Sequence, residues 1–397
     1  MKQIAILGCT GSIGRQTLQV VQGFPERFRV VALAAGTNLD ELAGQIGLHR
    51  PQLVSVADAG LAEQLRQRLR DTAYAAPLPD IQWGAEGLLS VATHPDATLV
   101  VSAAVGVVGL EATYAAVRAG KQVALSNKEV LVAAGELIMA AAKEHAVELL
   151  PVDSEHNAIH QCLRAGQPQE VRRLILTASG GPFRKTPLAQ MAQATPEQAL
   201  AHPNWRMGPR ITVDSATLVN KGFEVIEAHW LFQMRPDQIE VVIHPQSTIH
   251  SMVEFVDGSI LAQLGPTDMR LPIQYALTYP ERAASNGLAL DWAVLRRLDF
   301  EKVSSRRFPC LALARQALRE GGVQPCALNA ADEVAVAAFL ERRLSFPGIA
   351  RVIERVLERM PRTTLRVIED VAAADGEARR LAQEEVGRQS QRMAVAR

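Results

Sequence analysis

Lys2-Gln3-Ile4-Ala5-Ile6-Leu7 is followed directly by Gly8-Cys9-Thr10-Gly11-Ser12-Ile13-Gly14 near the start of the chain. The first six residues have the composition of a buried strand, and the apolar residues Leu18 and Val21 indicate the face of a helix behind the glycines. Glycines between a strand and a helix let backbone amides approach a pyrophosphate, which the helix N-terminus also favours. The spacing is GxxGxxG rather than GxGxxG, and an ordinary tight turn is the alternative. The stretch therefore predicts a nucleotide-binding α/β unit.

The segments that follow repeat the alternation of strand and helix. The predicted strands are 29–35, 53–56, 98–103 and 122–126. This alternation is typical of a doubly wound parallel sheet, whose ligands bind at the carboxyl ends of the strands. Lys128 lies two residues after the last of these strands and is a candidate for contact with a substrate, with a solvated lysine as the alternative. We therefore predict an N-terminal Rossmann-like doubly wound sheet.

The end of the second strand bears on the choice of cofactor. Gly36-Thr37-Asn38 follows this strand, with no Asp or Glu at the position that would hold the ribose hydroxyls of NAD. Asp40 comes slightly later, and Asn38 is a candidate contact for a ribose phosphate. The pattern favours NADP.

The composition favours a globular protein with small-molecule partners. The chain has 397 residues, of which 48% are hydrophobic, and 42 Lys and Arg balance 42 Asp and Glu. No net field therefore attracts nucleic acid or an anionic membrane. The four cysteines have no CxxC spacing, and a strand pattern begins at Ile4, where a signal peptide would lie. We expect a cytoplasmic protein without a disulfide framework.

A dense polar cluster, Pro151-Val152-Asp153-Ser154-Glu155-His156-Asn157, follows an apolar run. In an extended backbone Asp153 and Glu155 would leave the same face, so that two oxygen ligands could meet one hard cation. An ordinary solvated strand end would look similar. The cluster is therefore a candidate metal site with a solvated strand end as the alternative, and the backbone must turn at Ser154 if that residue shares the ligand.

Segments 150–155, 174–181 and 211–217 are each predicted as an apolar strand that runs into small polar residues. Ser179 and Ser215 lie at the ends of two of them, where hydroxyl groups could gather around a phosphate. Asn220 and Lys221 then precede a helical stretch and favour a phosphoryl group. Glu224 also lies in that stretch, but a Glu in the first turn of a helix could serve only to stabilise the helix dipole.

Segment 202–209 contains Trp205 and Met207 but has neither helical nor strand periodicity, which predicts a lid over a ligand, with a packed turn as the alternative. His244 and His250 have no zinc-site spacing; a structural role is the commoner fate of such histidines, and the sequence assigns them no function. The tail from Pro309 has helical patterns and is predicted to be a helical bundle with a structural role. Its polar residues Asn329, Asp332 and Glu333 are predicted to be helix caps.

Seven motifs in this order resemble the 1-deoxy-D-xylulose 5-phosphate reductoisomerase family nearly from end to end. They are the glycine turn, SNKE, PVDSEHNAI, SGGPF, HPNWRMG, VDSATLVNKGFE and IHPQSTIHSMV. The resemblance implies a homodimeric, NADPH-dependent oxidoreductase of isoprene biosynthesis that requires magnesium, manganese or cobalt. The implied reaction rearranges the carbon skeleton of a ketose phosphate to an aldehyde and then reduces that aldehyde to 2-C-methyl-D-erythritol 4-phosphate.

The resemblance also implies roles for individual residues. The metal ligands would be Asp153, Glu155 and Glu224, which with Lys128 form the catalytic group. The substrate residues would be Lys128, Ser154, Glu155, Ser179, His202, Trp205, Met207, Ser215, Asn220, Lys221 and Glu224. The cofactor residues would be Thr10, Gly11, Ser12, Ile13, Gly36, Thr37, Asn38, Asn127, Glu129 and Gly208. Thr37 departs from the family pattern, in which a basic residue is common at this position.

The predicted organisation has three domains. Residues 1–150 would bind NADPH, and residues 151–290 would form an α/β catalytic and dimerisation domain with a mobile lid at about 199–210. A linker at 291–308 would lead to the C-terminal helical domain at 309–397. Two alternatives remain at this point: a simple NADP-dependent dehydrogenase of a phosphorylated aldehyde or alcohol, and a catalytically idle sensor of NADP and a sugar phosphate.

Overall fold

The computed structural model describes residues 1–71, 77–104, 106, 108–284, 288–293 and 295–395, with side chains described as far as residue 391. The chain divides into two compact units. The first unit comprises Met1–Val130, Ile138–Asn157 and Asp268–Leu288, and the second comprises Leu131–Leu137, Ala158–Thr267 and Ala289–Arg397.

The strands and helices are numbered in chain order. The strands are β1 Lys2–Leu7, β2 Phe28–Ala34, β3 Leu53–Val56, β4 Asp80–Trp83, β5 Leu99–Ser102, β6 Gln122–Leu125, β7 Leu149–Pro151, β8 Val171–Ala178, β9 Ile239–Ile243, β10 Ile249–Phe255, β11 Ile260–Leu264 and β12 Glu301–Lys302. The helices are α1 Ser12–Gln22, α2 Leu39–His49, α3 Ala59–Asp71, α4 Gly84–Ala92, α5 Val108–Arg118, α6 Lys128–Glu144, α7 Ser154–Leu163, α8 Leu188–Met191, α9 Pro196–Ala199, α10 Pro209–Thr217, α11 Val219–Phe232, α12 Arg270–Thr278, α13 Pro309–Glu320, α14 Gln324–Leu340, α15 Phe346–Arg359 and α16 Ile368–Val395.

The first unit contains a seven-stranded parallel sheet in the order β4-β3-β2-β1-β5-β6-β7. The chain winds outward from β1 in one direction and then returns to build the other half from β5. The strand order therefore reverses between β1 and β5, which is where a doubly wound sheet opens a crevice for a ligand. Ile4, Ile6 and Leu33 on the central strands are fully buried, as both faces of such a sheet require.

The prediction of an α/β fold with a Rossmann-like sheet is confirmed. Predicted strands 29–35, 53–56, 98–103 and 122–126 correspond to β2, β3, β5 and β6 within a residue at each end. β4 was not predicted, because in Asp-Ile-Gln-Trp only Ile81 is a buried apolar residue.

The second unit contains a five-stranded mixed sheet in the order β11-β10-β8-β9-β12. β8 and β9 are parallel, whereas β10 is antiparallel to β8 and β11 is antiparallel to β10. The C-terminal helices α13 to α16 confirm the predicted helical bundle, in which Phe339 and Phe346 pack edge to face with centroids 5.7 Å apart.

The predicted strand at 211–217 is wrong, because these residues belong to helix α10. Gly208 is the N-cap and Pro209 occupies the first helical position, which proline favours. Thr212, Val213, Ala216 and Thr217 are buried with helical spacing. The β-branched residues suggested a strand, but their burial on one helix face determines the structure.

Among the described residues, none of the helices combines the length and apolar character that crossing a bilayer requires.

Candidate active site

The glycine turn after β1 has the geometry of a phosphate-binding turn. Gly8 has φ +84°, and a Cβ there would lie 2.5 Å from the carbonyl oxygen of Ala103. A Cβ at Gly14 would lie 2.3 Å from the carbonyl oxygen of Gly8. Both positions therefore require glycine, and α1 begins at Ser12 with its N-terminus at the carboxyl edge of the sheet. Thr10, Gly11, Ser12 and Ile13 all lie in this turn or in the first turn of α1.

The other predicted cofactor residues of the first unit lie at further strand ends. Gly36, Thr37 and Asn38 are exposed between β2 and α2, and the Asn38 side chain caps α2 by accepting the amide of Glu41 at 3.2 Å. Asn127 caps α6, because its Oδ1 accepts the amide of Glu129 at 3.0 Å. The Nδ2 of Asn127 donates to the carbonyl of Gly106 at 3.0 Å and ties two strand-end loops together.

The structure brings Lys128 and Asp153 together. β6 and β7 are adjacent and parallel, so the residues that follow them meet at the same edge of the sheet. The Lys128 ammonium forms an ion pair with the Asp153 carboxylate, and the two side chains keep 13% and 19% of their surface exposed. His156 Nδ1 lies 3.7 Å from the same carboxylate. A cation and a carboxylate are thus held at a ligand-binding edge.

The prediction that Asp153 and Glu155 leave one face of an extended strand is wrong. β7 ends at Pro151 and α7 begins at Ser154, so Asp153 precedes the helix while Glu155 lies in its first turn. The predicted change of backbone direction at Ser154 is confirmed. Ser154 Oγ donates to Glu155 Oε2 at 2.6 Å. Asn157 Nδ2 donates to the carbonyl of Pro151 at 2.8 Å and stabilises this reversal.

In the second unit, Asn220, Lys221 and Glu224 form one cluster on the first two turns of α11. Asn220 Nδ2 donates to Glu224 Oε1 at 2.6 Å, and the Lys221 ammonium forms an ion pair with Glu224 Oε2. The side chains of Lys221 and Glu224 are only 4% and 1% exposed. Residues three and four positions apart share a helix face, which explains how a local stretch builds this cluster. A carboxylate this deeply buried requires positive charge beside it.

Ser179 and His202 are also in contact. The His202 Nδ1 accepts the backbone amides of Asn204 at 3.2 Å and Trp205 at 3.0 Å, so its proton lies on Nε2. Nε2 therefore donates to Ser179 Oγ at 3.0 Å, and Gly181 donates to the same oxygen at 3.1 Å. Burial lowers the pKa of His202 and favours this neutral form. With two bonds accepted, the Ser179 hydroxyl retains its own hydrogen for donation to a ligand.

Ser215 lies beside the loop that carries Ser179. Gly181 has φ +63°, and a Cβ there would lie 2.9 Å from the carbonyl oxygen of Ser215. This close packing brings two predicted phosphate residues, Ser179 from the loop after β8 and Ser215 from α10, onto neighbouring backbone segments. A cavity of about 630 Å³ adjoins Ser179, and its lining includes Arg184 and Lys185.

Residues 200–208, between α9 and α10, are neither helix nor strand. This segment carries Trp205, Met207 and Gly208. Asn204 anchors it, because its Nδ2 donates to the carbonyl of Pro245 at 2.6 Å and to Ser247 Oγ at 2.9 Å. The sequence interpretation did not single out Asn204, although it stands inside the HPNWRMG motif.

His244 is a structural histidine. It is fully buried, its Nδ1 donates to the carbonyl of Asp299 at 2.9 Å, and its Nε2 accepts the amide of Thr248 at 3.2 Å. Its ring stacks on Phe300. His250 lies on β10 with its ring 6.3 Å from that of Trp205.

The prediction that Asn329, Asp332 and Glu333 cap a helix is wrong. α14 starts at Gln324, so these three residues lie inside the helix on one face. Asn329 and Glu333 accept hydrogen bonds from Arg210 of α10 at 2.8 and 3.0 Å. The three polar residues have helical spacing within an alanine-rich stretch, and this spacing could have indicated that they lie on one helix face. Their partner Arg210 could not be identified in this way, because it lies more than 100 residues away in sequence.

Three family models match successive parts of the chain. The model for 1-deoxy-D-xylulose 5-phosphate reductoisomerase matches residues 4–135, and the model for its C-terminal domain matches residues 149–232. A further model, DXP reductoisomerase C-terminal domain, matches residues 264–381.

Individual relatives agree with these matches. Two 1-deoxy-D-xylulose 5-phosphate reductoisomerases are similar over nearly their whole length: that of Solibacter usitatus at 52% identity, covering 97% of each chain, and that of Ectopseudomonas mendocina at 53%, covering 98% of this chain and 99% of the relative. The Zymomonas mobilis enzyme in complex with NADPH superposes with a TM-score of 0.91 at 44% identity, covering 97% and 99% of the two chains. A DOX-P reductoisomerase in complex with NADPH, fosmidomycin and magnesium gives a TM-score of 0.92 at 40% identity, covering 98% of each chain. The chain therefore belongs to the 1-deoxy-D-xylulose 5-phosphate reductoisomerase family.

Proposed function

We propose that this chain binds 1-deoxy-D-xylulose 5-phosphate through the residues of its two clusters, Lys128 with Asp153 and Asn220 with Lys221 and Glu224. Its family reaction is a metal-dependent rearrangement of the carbon skeleton followed by reduction with NADPH to 2-C-methyl-D-erythritol 4-phosphate. The observation that carries the residue assignments is that polar groups at these motif positions form defined clusters at the ends of strands and on one helix face.

The residues present fit a divalent cation and NADPH. Asp153, Glu155 and Glu224 would be the metal ligands, since carboxylate oxygens suit magnesium and manganese. The ammonium groups of Lys128 and Lys221 lie beside the carboxylates of Asp153 and Glu224. They supply the positive charge that a bound cation would also supply. When bound, the cation stabilises negative charge that develops on the substrate oxygens. NADPH, which supplies the hydride, would place its pyrophosphate against the turn from Gly8 to Gly14.

The NADPH contacts proposed around that turn are those implied by the motifs: Thr10, Gly11, Ser12, Ile13, Gly36, Thr37, Asn38, Asn127, Glu129 and Gly208. Support for them is that the residues of the first unit in this set lie on the glycine turn, the end of β2 and the end of β6. These are carboxyl ends of parallel strands, where dinucleotides bind in such sheets.

Substrate recognition is divided between reacting and anchoring groups. Lys128 would donate hydrogen bonds to the hydroxyketone and assist charge development on its oxygens, next to Ser154 and Glu155. Ser179, His202, Ser215, Asn220 and Lys221 would hold the phosphate. Support for the phosphate role of Ser179 is its retained donor hydrogen and the close packing of its loop on Ser215. Binding energy at a remote phosphate holds the reacting carbons in place.

Trp205 and Met207 would form a lid over the substrate. The segment that carries them, residues 200–208, also contains His202 and ends at Gly208, so substrate contact at His202 would be coupled to its conformation. A closed lid excludes water from a reactive aldehyde.

The proposed domain organisation assigns NADPH binding to residues 1–150, catalysis and dimerisation to residues 151–290 with the lid at about 199–210, and a structural role to residues 309–397, joined through 291–308. A homodimer is supported by β11, the edge strand of the mixed sheet, where Ile260 and Leu261 are 51% and 39% exposed. Exposed apolar residues on an edge strand favour association with a second sheet. Sedimentation velocity of the purified chain would distinguish dimer from monomer.

The direct test is to incubate the purified chain with 1-deoxy-D-xylulose 5-phosphate, NADPH and magnesium, with and without a chelator. We expect NADPH oxidation that stops with the chelator and a product whose NMR spectrum shows a branched carbon skeleton. An unbranched product would indicate a simple dehydrogenase. Binding of NADPH without its oxidation would indicate a sensor.

A further inference from the structure

We propose that Arg210, held by Asn329 and Glu333 of α14, is a positioning residue that fixes α10 and thereby Ser215 for the substrate phosphate. This inference rests on the proposed function, and it gives the C-terminal helices a role in substrate affinity beyond the structural one expected from sequence.

The first step of the argument is the geometry around Arg210, the second residue of α10. Its Nη1 donates to Glu333 Oε1 at 3.0 Å and its Nη2 donates to Asn329 Oδ1 at 2.8 Å. Asp214 and Asp332 lie 3.6 and 3.7 Å from the same guanidinium. A guanidinium that uses both terminal nitrogens is fixed in orientation as well as position.

The second step is that the cluster is extended and partly buried, with side-chain exposures of 26% at Arg210 and 18% at Glu333. Glu333 Oε2 accepts a further hydrogen bond at 2.6 Å from Arg379 of α16, which also donates to Asp375 at 2.6 Å. Asp332 has no exposed surface, and burial raises its pKa to about 6. Ionic hydrogen bonds in such surroundings resist displacement more strongly than exposed pairs. Helices α14 and α16 thus hold the start of α10 firmly.

The third step connects Arg210 to the phosphate residues. α10 is only nine residues long and carries Ser215 in its second half. The carbonyl of Ser215 packs against Gly181, whose amide donates to Ser179 Oγ. A displacement of α10 therefore moves Ser215 and disturbs the loop of Ser179. Gly208, the N-cap of α10, also ends the proposed lid.

The test is a double-mutant cycle with the full-length chain, using Arg210→Met, Glu333→Gln and the combination. We expect each single variant to raise the KM for 1-deoxy-D-xylulose 5-phosphate by about 10-fold to 100-fold, with a smaller change in kcat. The double variant should be no worse than Arg210→Met, because both changes break the same contact. Arg210→Lys should restore only part of the affinity, since lysine lacks the fork.

Arg315→Met is the matched control. Arg315 is also a partly buried arginine of the second unit, and it donates to the carbonyls of Pro236 at 3.2 Å and Ile239 at 2.7 Å. It should lower thermal stability without raising KM. Hydrogen exchange of residues 209–217 without ligand should accelerate in Arg210→Met and Glu333→Gln and stay unchanged in Arg315→Met.

Three results would overturn the proposal. An unchanged KM in Arg210→Met would show that the residue does not position the site. A raised KM in Arg210→Met but not in Glu333→Gln would mean that Arg210 contacts the ligand directly. An equal rise in Arg315→Met would reflect general destabilisation. A wild-type chain that lacks reductoisomerase activity would instead contradict the proposed function. Hydrogen exchange of residues 209–217 would in that case still show whether Arg210 and its partners on α14 hold α10.

Discussion

Two lysine–carboxylate pairs in this molecule differ in how they are built and how deeply they are buried. The sheet-edge pair, Lys128 and Asp153, joins residues that follow β6 and β7 and is 13% and 19% exposed. The helix pair, Lys221 and Glu224, joins residues one turn apart on α11 and is only 4% and 1% exposed. The sheet-edge pair depends on strand order, whereas the helix pair depends on local spacing. Neutralising the carboxylate of either pair should therefore lower activity to a similar extent. The loss of stability should be larger for the more deeply buried helix pair.

The largest expected effect is the loss of activity when either carboxylate is neutralised. Asp153→Asn and Glu224→Gln should each lower kcat by about 1,000-fold or more, because each removes a proposed metal ligand worth several kcal/mol in the transition state. Steady-state assays with excess magnesium would measure this, and NADPH binding by fluorescence should remain intact. Glu240→Gln, at an exposed carboxylate on β9, is the control and should keep full activity. Normal turnover in either active-site variant would contradict the assignment.

Stability should separate the same two pairs. Glu224→Gln removes negative charge from beside a buried ammonium and should lower the free energy of unfolding by about 3 to 5 kcal/mol. Asp153→Asn should lower it by no more than about 1 kcal/mol, because the sheet-edge pair remains partly hydrated. Urea denaturation would measure both values. The double variant Lys221→Met with Glu224→Gln should recover most of the loss without recovering activity, and equal destabilisation by the two single variants would contradict the comparison.

A smaller effect is expected at the phosphate side of the second unit. Ser179→Ala removes a hydroxyl that His202 and Gly181 orient, and it should raise the KM for substrate by about 10-fold to 100-fold through loss of a charge-assisted hydrogen bond. Steady-state kinetics at saturating NADPH would give this value. Ser259→Ala, in the exposed turn between β10 and β11, removes a hydroxyl bound only locally to Asp257 and is the control. A Ser179→Ala enzyme with wild-type KM would remove Ser179 from the phosphate site.

A pH-dependent loss of stability is expected from the partly buried His160. Burial lowers the pKa of His160 on α7 to about 4 from its usual 6.5, with a further contribution from Arg164. Between these values the unfolded chain binds a proton that the folded chain does not, so stability falls as pH falls from about 6.5 to 4. After allowance for solvent screening we expect a loss of about 1 to 3 kcal/mol. The difference in unfolding free energy between wild type and His160→Gln should follow this window, and a pH-independent difference would contradict the burial argument.

The smallest effect is expected at exposed Thr37, on the sheet edge between β2 and α2. Thr37→Lys should tighten NADPH binding by a few-fold, since an exposed pair with the ribose phosphate contributes about 0.5 to 1 kcal/mol and weakens with salt. Fluorescence titration at low and high ionic strength would measure it, with NADH as the control ligand that lacks the phosphate. Equal tightening for both cofactors would show that Thr37 does not face that phosphate.

The sequence predicted the sheet-edge region better than the helical region around α10. Buried β-branched runs identified β1, β2, β3, β5 and β6, and chain order alone then placed Lys128 at a ligand-binding edge. The stretch from Ile211 to Thr217 has the β-branched composition of a strand, and only tertiary burial made it helical. The Gly208-Pro209 dipeptide was the overlooked start signal.

Contacts across long sequence separations could not be predicted. The partner of Arg210 lies on α14, and nothing local to either segment specifies that pairing. The sequence predicted that the backbone turns at Ser154, because Ser154 could otherwise not share a ligand with Asp153 and Glu155. It did not predict that helix α7 begins there, which determines where Asp153 and Glu155 lie. Local patterns and the family resemblance thus supplied the candidate residues, while packing determined how their side chains are held.

Direct measurement of metal binding tests the central claim that Asp153, Glu155 and Glu224 are ligands of one divalent cation. Titration of the chain with Mn²⁺, followed by electron paramagnetic resonance in the presence of NADPH, should show one site in the wild type. That site should weaken strongly in Asp153→Asn, Glu155→Gln and Glu224→Gln and persist in Glu240→Gln. Wild-type Mn²⁺ affinity in Glu224→Gln, with the variant folded, would contradict the account.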